Sequence, residues 1–99
     1  MPGSENSTTI MFYVYVLESF VANRLYVGLT IDLDKRLSEH NRGLNFSTKT
    51  YRPWAIIHVE GYLAEADARR REKYLKTSQG SRLLRRMLKE YFYQSKIKK

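Results

Sequence analysis

The sequence has no cysteine, two prolines, five glycines, a single tryptophan and only ten acidic residues in 99. Without cysteine there is no disulfide framework, no cysteine-based zinc site and no thiol nucleophile. The longest apolar run, Met11 to Leu17, falls far short of the ~20 residues that span a bilayer. The segment before that run carries Glu5 and no Lys or Arg, unlike the basic start of a signal peptide. The expectation is a soluble, cytoplasmic, one-domain protein, since domains take roughly 100–200 residues. A chain this short buries only roughly 60% of its unfolded surface, enough for one modest core.

Against ten acids stand 18 Lys and Arg, for a formal net charge of +8. The excess is placed unevenly. Residues 1–34 hold one base, Arg24, against four acids, whereas residues 35–99 hold 17 bases against six acids. That asymmetry points to a polyanionic partner, because Lys and Arg that neutralise phosphates release counterions and gain affinity. A basic, well-solvated surface without a partner is the plain alternative. A membrane surface is not expected, because no segment joins a basic face to a bulky aromatic one.

Residues 1–10 are small and polar and read as a disordered leader. Phe12–Glu18 and Arg24–Leu29 read as strands, and the short Ser19–Asn23 link makes them an antiparallel hairpin. Alternation puts Tyr13, Tyr15 and Leu17 on one face and Val14 and Val16 on the other. On the second strand Tyr26 and Gly28 oppose Leu25, Val27 and Leu29. A turn between residues 20 and 21 sets Tyr15 directly across from Tyr26. A helix capped by Thr30 or Asp32 then runs to about Asn41, with Gly43 as its stop. Leu33 and Leu37 form its apolar stripe, and Arg36 and His40 lie along the edge of that stripe. Asn45–Pro53 is a polar, basic loop. Trp54–Tyr62 reads as a third strand covered on both faces. Leu63–Lys76 is helical, with Ala64, Ala68 and Leu75 inward. Ser81–Phe92 is a last helix, with Leu83, Leu84, Met87, Leu88 and Tyr91 inward, and residues 93–99 form a basic tail. The fold class is α+β: a small three-stranded antiparallel sheet flanked by helices, in the order β-β-α-β-α-α.

Four features ask for more than packing. Tyr15 and Tyr26 on neighbouring strands suit cross-strand packing, yet Gly28 beside them marks a close approach of ligand or backbone. Arg36 reads alone as a solvated charge. With His40 one turn on, it also offers an electrophile and an acid–base on one face. Glu72 falls on the inward stripe of its helix within a dense run of bases. An ion pair with Lys76 or Arg69 accounts for it, and so does a hard divalent cation, which takes oxygen ligands. The loop holding Tyr51, Arg52 and Trp54 mixes charge and rings as a phosphate- and base-contacting surface does, or is an exposed loop turning at Pro53.

In order, these residues resemble the GIY-YIG endonuclease superfamily. Tyr13-Val14-Tyr15 stands for the first motif and Leu25-Tyr26-Val27-Gly28 for the second, with Arg36 and His40 at the family's arginine and histidine positions. Glu72, in Arg70-Arg71-Glu72, takes the place of the metal-binding glutamate. Ser47-Thr48-Lys49, Tyr51-Arg52-Pro53-Trp54 and Arg71-Glu72-Lys73 look like the small stand-alone bacterial members, which are related to the incision subunit of nucleotide excision repair. The sequence departs from the pattern twice. Tyr13 replaces the first glycine, and no asparagine follows Glu72, leaving Ser78 or Gln79 as stand-ins.

The resemblance implies hydrolysis of DNA phosphodiesters with one Mg²⁺ or Mn²⁺ held by Glu72. Tyr26 would be the favoured proton acceptor, Tyr15 its support, His40 a proton relay and Arg36 the stabiliser of the transition state. Lys49, Arg52, Lys76, Arg82, Arg85 and Arg86 would hold the substrate backbone. With no groove-reading helix, cleavage is expected to follow structure (branched, flapped or single-stranded DNA), in a monomer or weak dimer. A module of the same fold that binds nucleic acid without cutting is the rival. An adaptor using Phe20, Tyr51 and Tyr93 is a third reading.

Overall fold

A computed structural model describes residues 9–97, with side chains through Ser95. Most of the expected leader and the end of the basic tail lie outside the described residues. The described chain runs β1 (Phe12–Ser19), β2 (Leu25–Thr30), α1 (Leu33–Asn41), a 3₁₀ turn (Lys49–Tyr51), β3 (Trp54–Tyr62), α2 (Glu65–Leu75), α3 (Ser78–Met87) and α4 (Lys89–Ile97). The sheet is antiparallel in the order β2-β1-β3, so β1 is central.

That central place explains the residues β1 is made of. A strand buried on both faces needs a near-continuous apolar run, and Val14, Tyr15, Val16 and Leu17 are all buried. Val14 and Val16 pack with Val27, Ala68, Leu75 and Leu84 beneath α2 and α3. Tyr15 and Leu17 pack with Trp54, Leu33 and Leu37 beneath α1. The result is three layers, α1 on one side of the sheet and α2 with α3 on the other. β3 carries only part of the cover expected of it. It is buried at Trp54, half-buried through His58, and exposed at Val59 and Gly61, because it is an edge strand.

The hairpin register differs from the expected one by two residues. Tyr15 pairs with Gly28, and Tyr26 pairs with Leu17. Ser19 causes the shift: its N–H donates to the Arg24 carbonyl at 3.1 Å, and its Oγ accepts from the N–H groups of Val21 and Ala22. The connection is therefore a four-residue loop, Phe20–Asn23. A shift of two keeps every side chain on its face, so both tyrosines still face α1.

The helices begin and end for identifiable reasons. Asp32 caps α1 by accepting from the Lys35 N–H at 3.1 Å, and Gly43, at φ +78°, takes the left-handed conformation just beyond it, as glycine does best. Ala64 is exposed ahead of α2 rather than inward. The last helical stretch is two helices broken at Leu88, with α4 reaching Ile97, and Met87 is exposed at the break. At Gly80 a Cβ would overlap the backbone of Tyr74 and Leu75, so glycine lets α3 lie directly on the end of α2. Glu60 of β3 ties down the middle of α2. It accepts from Arg71 Nε at 2.8 Å and from the Tyr62 hydroxyl at 2.8 Å, and His58 Nε2 lies 2.9 Å away. Burial pushes its carboxyl up, but the hydrogen bonds from Arg71, His58 and Tyr62 outweigh that and hold it at about 2. Among the described residues no helix is long and apolar enough to cross a membrane.

Candidate active site

Tyr15 lies across Gly28. A Cβ there would overlap the Tyr15 hydroxyl and ring, so the glycine is the space the phenol occupies. This is why the small residue stands inside a strand. Tyr26 sits diagonally from Tyr15, with ring centroids 6.4 Å apart, and its ring meets the His40 ring edge-on at 5.0 Å. Tyr15 is only 1% exposed and Tyr26 is half-buried.

His40 does not lie at the edge of the α1 stripe, as its spacing predicts. It is fully buried, because the loop after α1 folds over it. Its Nε2 lies 2.9 Å from the Tyr15 hydroxyl and its Nδ1 lies 2.7 Å from Thr48 Oγ1. Burial and the Arg36 charge hold its imidazole below the ordinary histidine range, so the ring is neutral at pH 7. A neutral imidazole donates through one nitrogen and accepts through the other. One arrangement gives every proton an acceptor: Tyr15 O–H donates to Nε2, Nδ1–H donates to Thr48, and Thr48 donates to the Asn45 carbonyl at 3.5 Å. The opposite tautomer strands the Tyr15 proton in a buried site.

Two further contacts fix that loop. Trp54 Nε1 donates to the Thr48 carbonyl at 2.8 Å. The Asn41 side chain accepts from the Trp54 N–H and donates to its carbonyl.

Arg36 lies on α1 four residues before His40. Its Nη1 pairs with Glu39 at 3.0 Å, and its side chain is 40% exposed. Its Nε is buried with no partner among the described residues, so the guanidinium has donor capacity to spare. The group stands beside the Tyr15 hydroxyl. Burial raises the Tyr15 pKa above 10, and the nearby Arg36 guanidinium only partly offsets that. Tyr15 is thus a phenol at neutral pH.

Glu72 comes from the opposite layer. It is half-buried and pairs with Lys76 at 3.1 Å, and the Lys76 ammonium reaches to 5.9 Å from the Tyr26 ring. A cavity of about 300 Å³ lined by Tyr26, Lys76 and Ser81 opens there, along the outer edge of β2. No cluster of three or more His, Asp or Glu able to hold a metal occurs among the described residues. The donor set therefore fits a hard cation in one way, with Glu72 as the protein carboxylate and substrate oxygens and water filling the shell. That is the habit of Mg²⁺.

The structure brings Tyr15, Tyr26, Arg36 and His40 together on the α1 side, with Glu72 and Lys76 arriving around β2. The other basic residues do not join them in one patch. Lys49 and Arg52 are exposed on the loop after α1, Arg52 folding its guanidinium over Gly43. Arg82, Arg85 and Arg86 are exposed on α3, in the other layer. Ser78 and Gln79, the stand-ins for the missing asparagine, are exposed in the first turn of α3. Sequence reasoning gave no role to Thr48, although it lies in the Ser47-Thr48-Lys49 motif, or to Glu39 and Asn41. A hydroxyl eight residues past a histidine gives no periodic signal, so only the loop path reveals it.

The GIY-YIG catalytic domain matches residues 11–87. The chain belongs to that family of nucleases. It is 36% identical over 66 residues to a "UPF0213 protein" of Staphylococcus haemolyticus, covering 66% of this chain and 79% of the relative. A "UPF0213 protein" of Syntrophus aciditrophicus is 38% identical over 66 residues, covering 65% and 75%. One of Staphylococcus aureus is 33% identical over 79 residues, covering 79% and 94%. These small bacterial relatives fit the stand-alone type that the sequence motifs resemble. No solved structure matches the chain.

Proposed function

We propose that this protein is a divalent-metal-dependent endonuclease that cuts DNA phosphodiester bonds according to strand structure rather than base sequence. The observation that carries this reading is the directed hydrogen-bond chain from Tyr15 through His40 to Thr48, which begins beside Arg36 and its spare donors. A buried tyrosine hydroxyl needs an acceptor in any case; what favours catalysis is that this acceptor is a neutral imidazole and that Arg36 stands beside the same hydroxyl.

The chain's residues divide the work as follows. A scissile phosphate meets Arg36, whose fork suits phosphate oxygens and stabilises the charge that develops on them in the transition state. An attacking water would give its proton to the Tyr15 oxygen as the Tyr15 proton passes to His40 Nε2, leaving an imidazolium; the new P–O bond replaces the P–O bond to the leaving strand, whose oxygen takes a proton from solvent. The phenol thereby acts as a base without being ionised beforehand. The Tyr15–His40 contact favours Tyr15 over Tyr26 as the proton acceptor, and Tyr26 would then orient the water and phosphate. His40 touches no substrate and is a positioning and relay residue. Glu72 would hold one Mg²⁺ or Mn²⁺ beside the phosphate, which supplies charge neutralisation and a more acidic bound water. Lys76 would contribute a phosphate contact at the cleft, and Lys49 and Arg52, on the loop after α1, would meet the strand farther along.

The test is nicking of labelled single-stranded, flapped, branched and fully paired DNA, with and without Mn²⁺. Wild type is expected to cut only with metal and to prefer interrupted duplexes, and Glu72→Ala is expected to be inactive. Equal activity of wild type and Glu72→Ala, or no cleavage of any substrate, leaves the non-cutting DNA-binding module as the correct reading.

A further inference from the structure

A second concavity is larger than the one at Tyr26. It is a groove of about 750 Å³ between the β1–β2 loop and the α3–α4 pair, with Phe20, Arg85, Lys89, Phe92 and Tyr93 among its walls. That volume lies in the range of roughly 300–1,000 Å³ typical of ligand sites. Phe20 and Tyr93 are 66% and 62% exposed, so neither ring serves the core. Arg85 holds its guanidinium 5.2 Å over the Phe92 ring, which braces a cation at the wall. The carboxylate at the groove's edge, Glu18, is occupied by the Tyr91 hydroxyl, which donates to it. Arg82 and Arg86 are exposed on the same helix as Arg85. Exposed rings between cations are the chemistry that holds unpaired strands, with bases stacked on aromatic faces and phosphates on the basic groups.

The groove lies near the cleft along the chain. Asn23, in the loop before β2, forms part of its wall, and Tyr26 on β2 follows three residues later, at most about 10 Å at ~3.3 Å per residue. We propose that this groove binds an unpaired single-stranded DNA segment adjoining the cut, with Phe20 and Tyr93 stacking its bases and Arg85 and Lys89 holding its phosphates. The assignment rests on the nuclease reading above and gives it a substrate: DNA with a single-stranded stretch beside the scissile phosphate.

The experiment is fluorescence anisotropy of the full chain in EDTA, so that cleavage does not intrude, over a series of salt concentrations. The probes are a labelled oligothymidylate of about 12 nucleotides, within the site sizes of such grooves, and a duplex of equal length. The Phe20→Ala/Tyr93→Ala variant should bind the single strand about thirtyfold more weakly or worse, in keeping with loss of two stacked bases, and bind the duplex within twofold of wild type. Tyr93→Trp should retain single-strand affinity, which also tests the site if the double variant fails to fold. Arg85→Ala/Lys89→Ala should lower the single-strand salt slope by ~1.4, two phosphate contacts at ~0.7 each. Single-strand binding within twofold of wild type after loss of both rings overturns the assignment, and so does equal weakening of single strand and duplex. The first result would mark the groove as a protein-docking surface. If wild type binds neither DNA, the nuclease reading itself fails. If wild type still nicks DNA with Mn²⁺, only the groove assignment falls.

Discussion

Replacing Thr48 with valine tests the core of the proposed mechanism, because it removes one hydroxyl at nearly constant shape. Thr48 Oγ1 is the acceptor 2.7 Å from His40 Nδ1, and both residues are fully buried. In Thr48→Val the imidazole either keeps its Nδ1 proton without an acceptor or moves it to Nε2. Moving it leaves the Tyr15 hydroxyl proton stranded instead. Each outcome orphans one buried donor, at ~1–3 kcal/mol. A 2 kcal/mol loss corresponds to a fall of roughly 8–16 °C in Tm for a domain of this size. Thr48→Ser is the companion variant. It loses one methyl, ~0.8 kcal/mol by burial, and keeps the acceptor. Urea unfolding followed by circular dichroism gives both stabilities, and ¹⁵N NMR of the His40 ring reads the tautomer directly. The expected pattern is a large stability loss and slowed nicking for valine, and a small stability loss with near-normal nicking for serine. If Thr48→Val unfolds within ~0.5 kcal/mol of wild type, the range of ordinary surface substitutions, and cuts at the wild-type rate, the relay is refuted.

Other consequences are equally direct. Gly28→Ala should displace Tyr15 from His40, destabilise the fold by ~1–3 kcal/mol as overpacking does, and abolish nicking. Gly80→Ala, whose new methyl meets backbone instead, should show a similar loss in urea melts. Arg36→Ala should lower kcat by roughly 10²–10³ while weakening DNA binding far less; a parallel loss of both in steady-state kinetics and anisotropy would reduce Arg36 to a phosphate contact. Stability should also depend on pH in two windows. His40 titrates below its unfolded value of ~6.5, so its contribution is complete above that pH and is lost as pH falls through the lower folded value. The Glu60 contribution is complete above 4.5 and lost as pH falls toward about 2. Urea midpoints measured across acid pH should show both declines, and Glu60→Gln should remove the second.

Much of this was legible in the sequence because side-chain direction in a strand has period two. Alternation alone assigned Tyr15 and Leu17 to one layer and Val14 and Val16 to the other, and a slip of two residues in register left that assignment intact. The register was not legible because it depends on Ser19, whose side chain binds the loop N–H groups and lengthens the turn. Spacing also placed Arg36 and His40 on neighbouring turns, but it could not show that residues 45–51 fold back and bury the histidine. The break at Leu88 has no glycine or proline to announce it. Cover on both faces was assigned to β3 from its apolar run. Apolar residues report burial without saying which strand lies in the middle, and here it is β1.

The two-layered origin of the cleft has a consequence for when the enzyme becomes active. The tyrosines, arginine and histidine all lie within the first 40 residues and pack on the α1 side. Glu72 is held by α2 on the far side of the sheet, and α2 is itself anchored through Arg71 to β3. In a chain emerging from the ribosome the tyrosines, arginine and histidine come first, Thr48 and Trp54, which close the loop over the histidine, come next, and Glu72 comes last. A chain clipped before α2 lacks the carboxylate and also lacks Ala68, Leu75 and Leu84, which pack against Val14 and Val16. On the proposed reading, cutting competence is a property of the finished fold alone, because the helix that brings the carboxylate also closes the core on which the tyrosine strand rests.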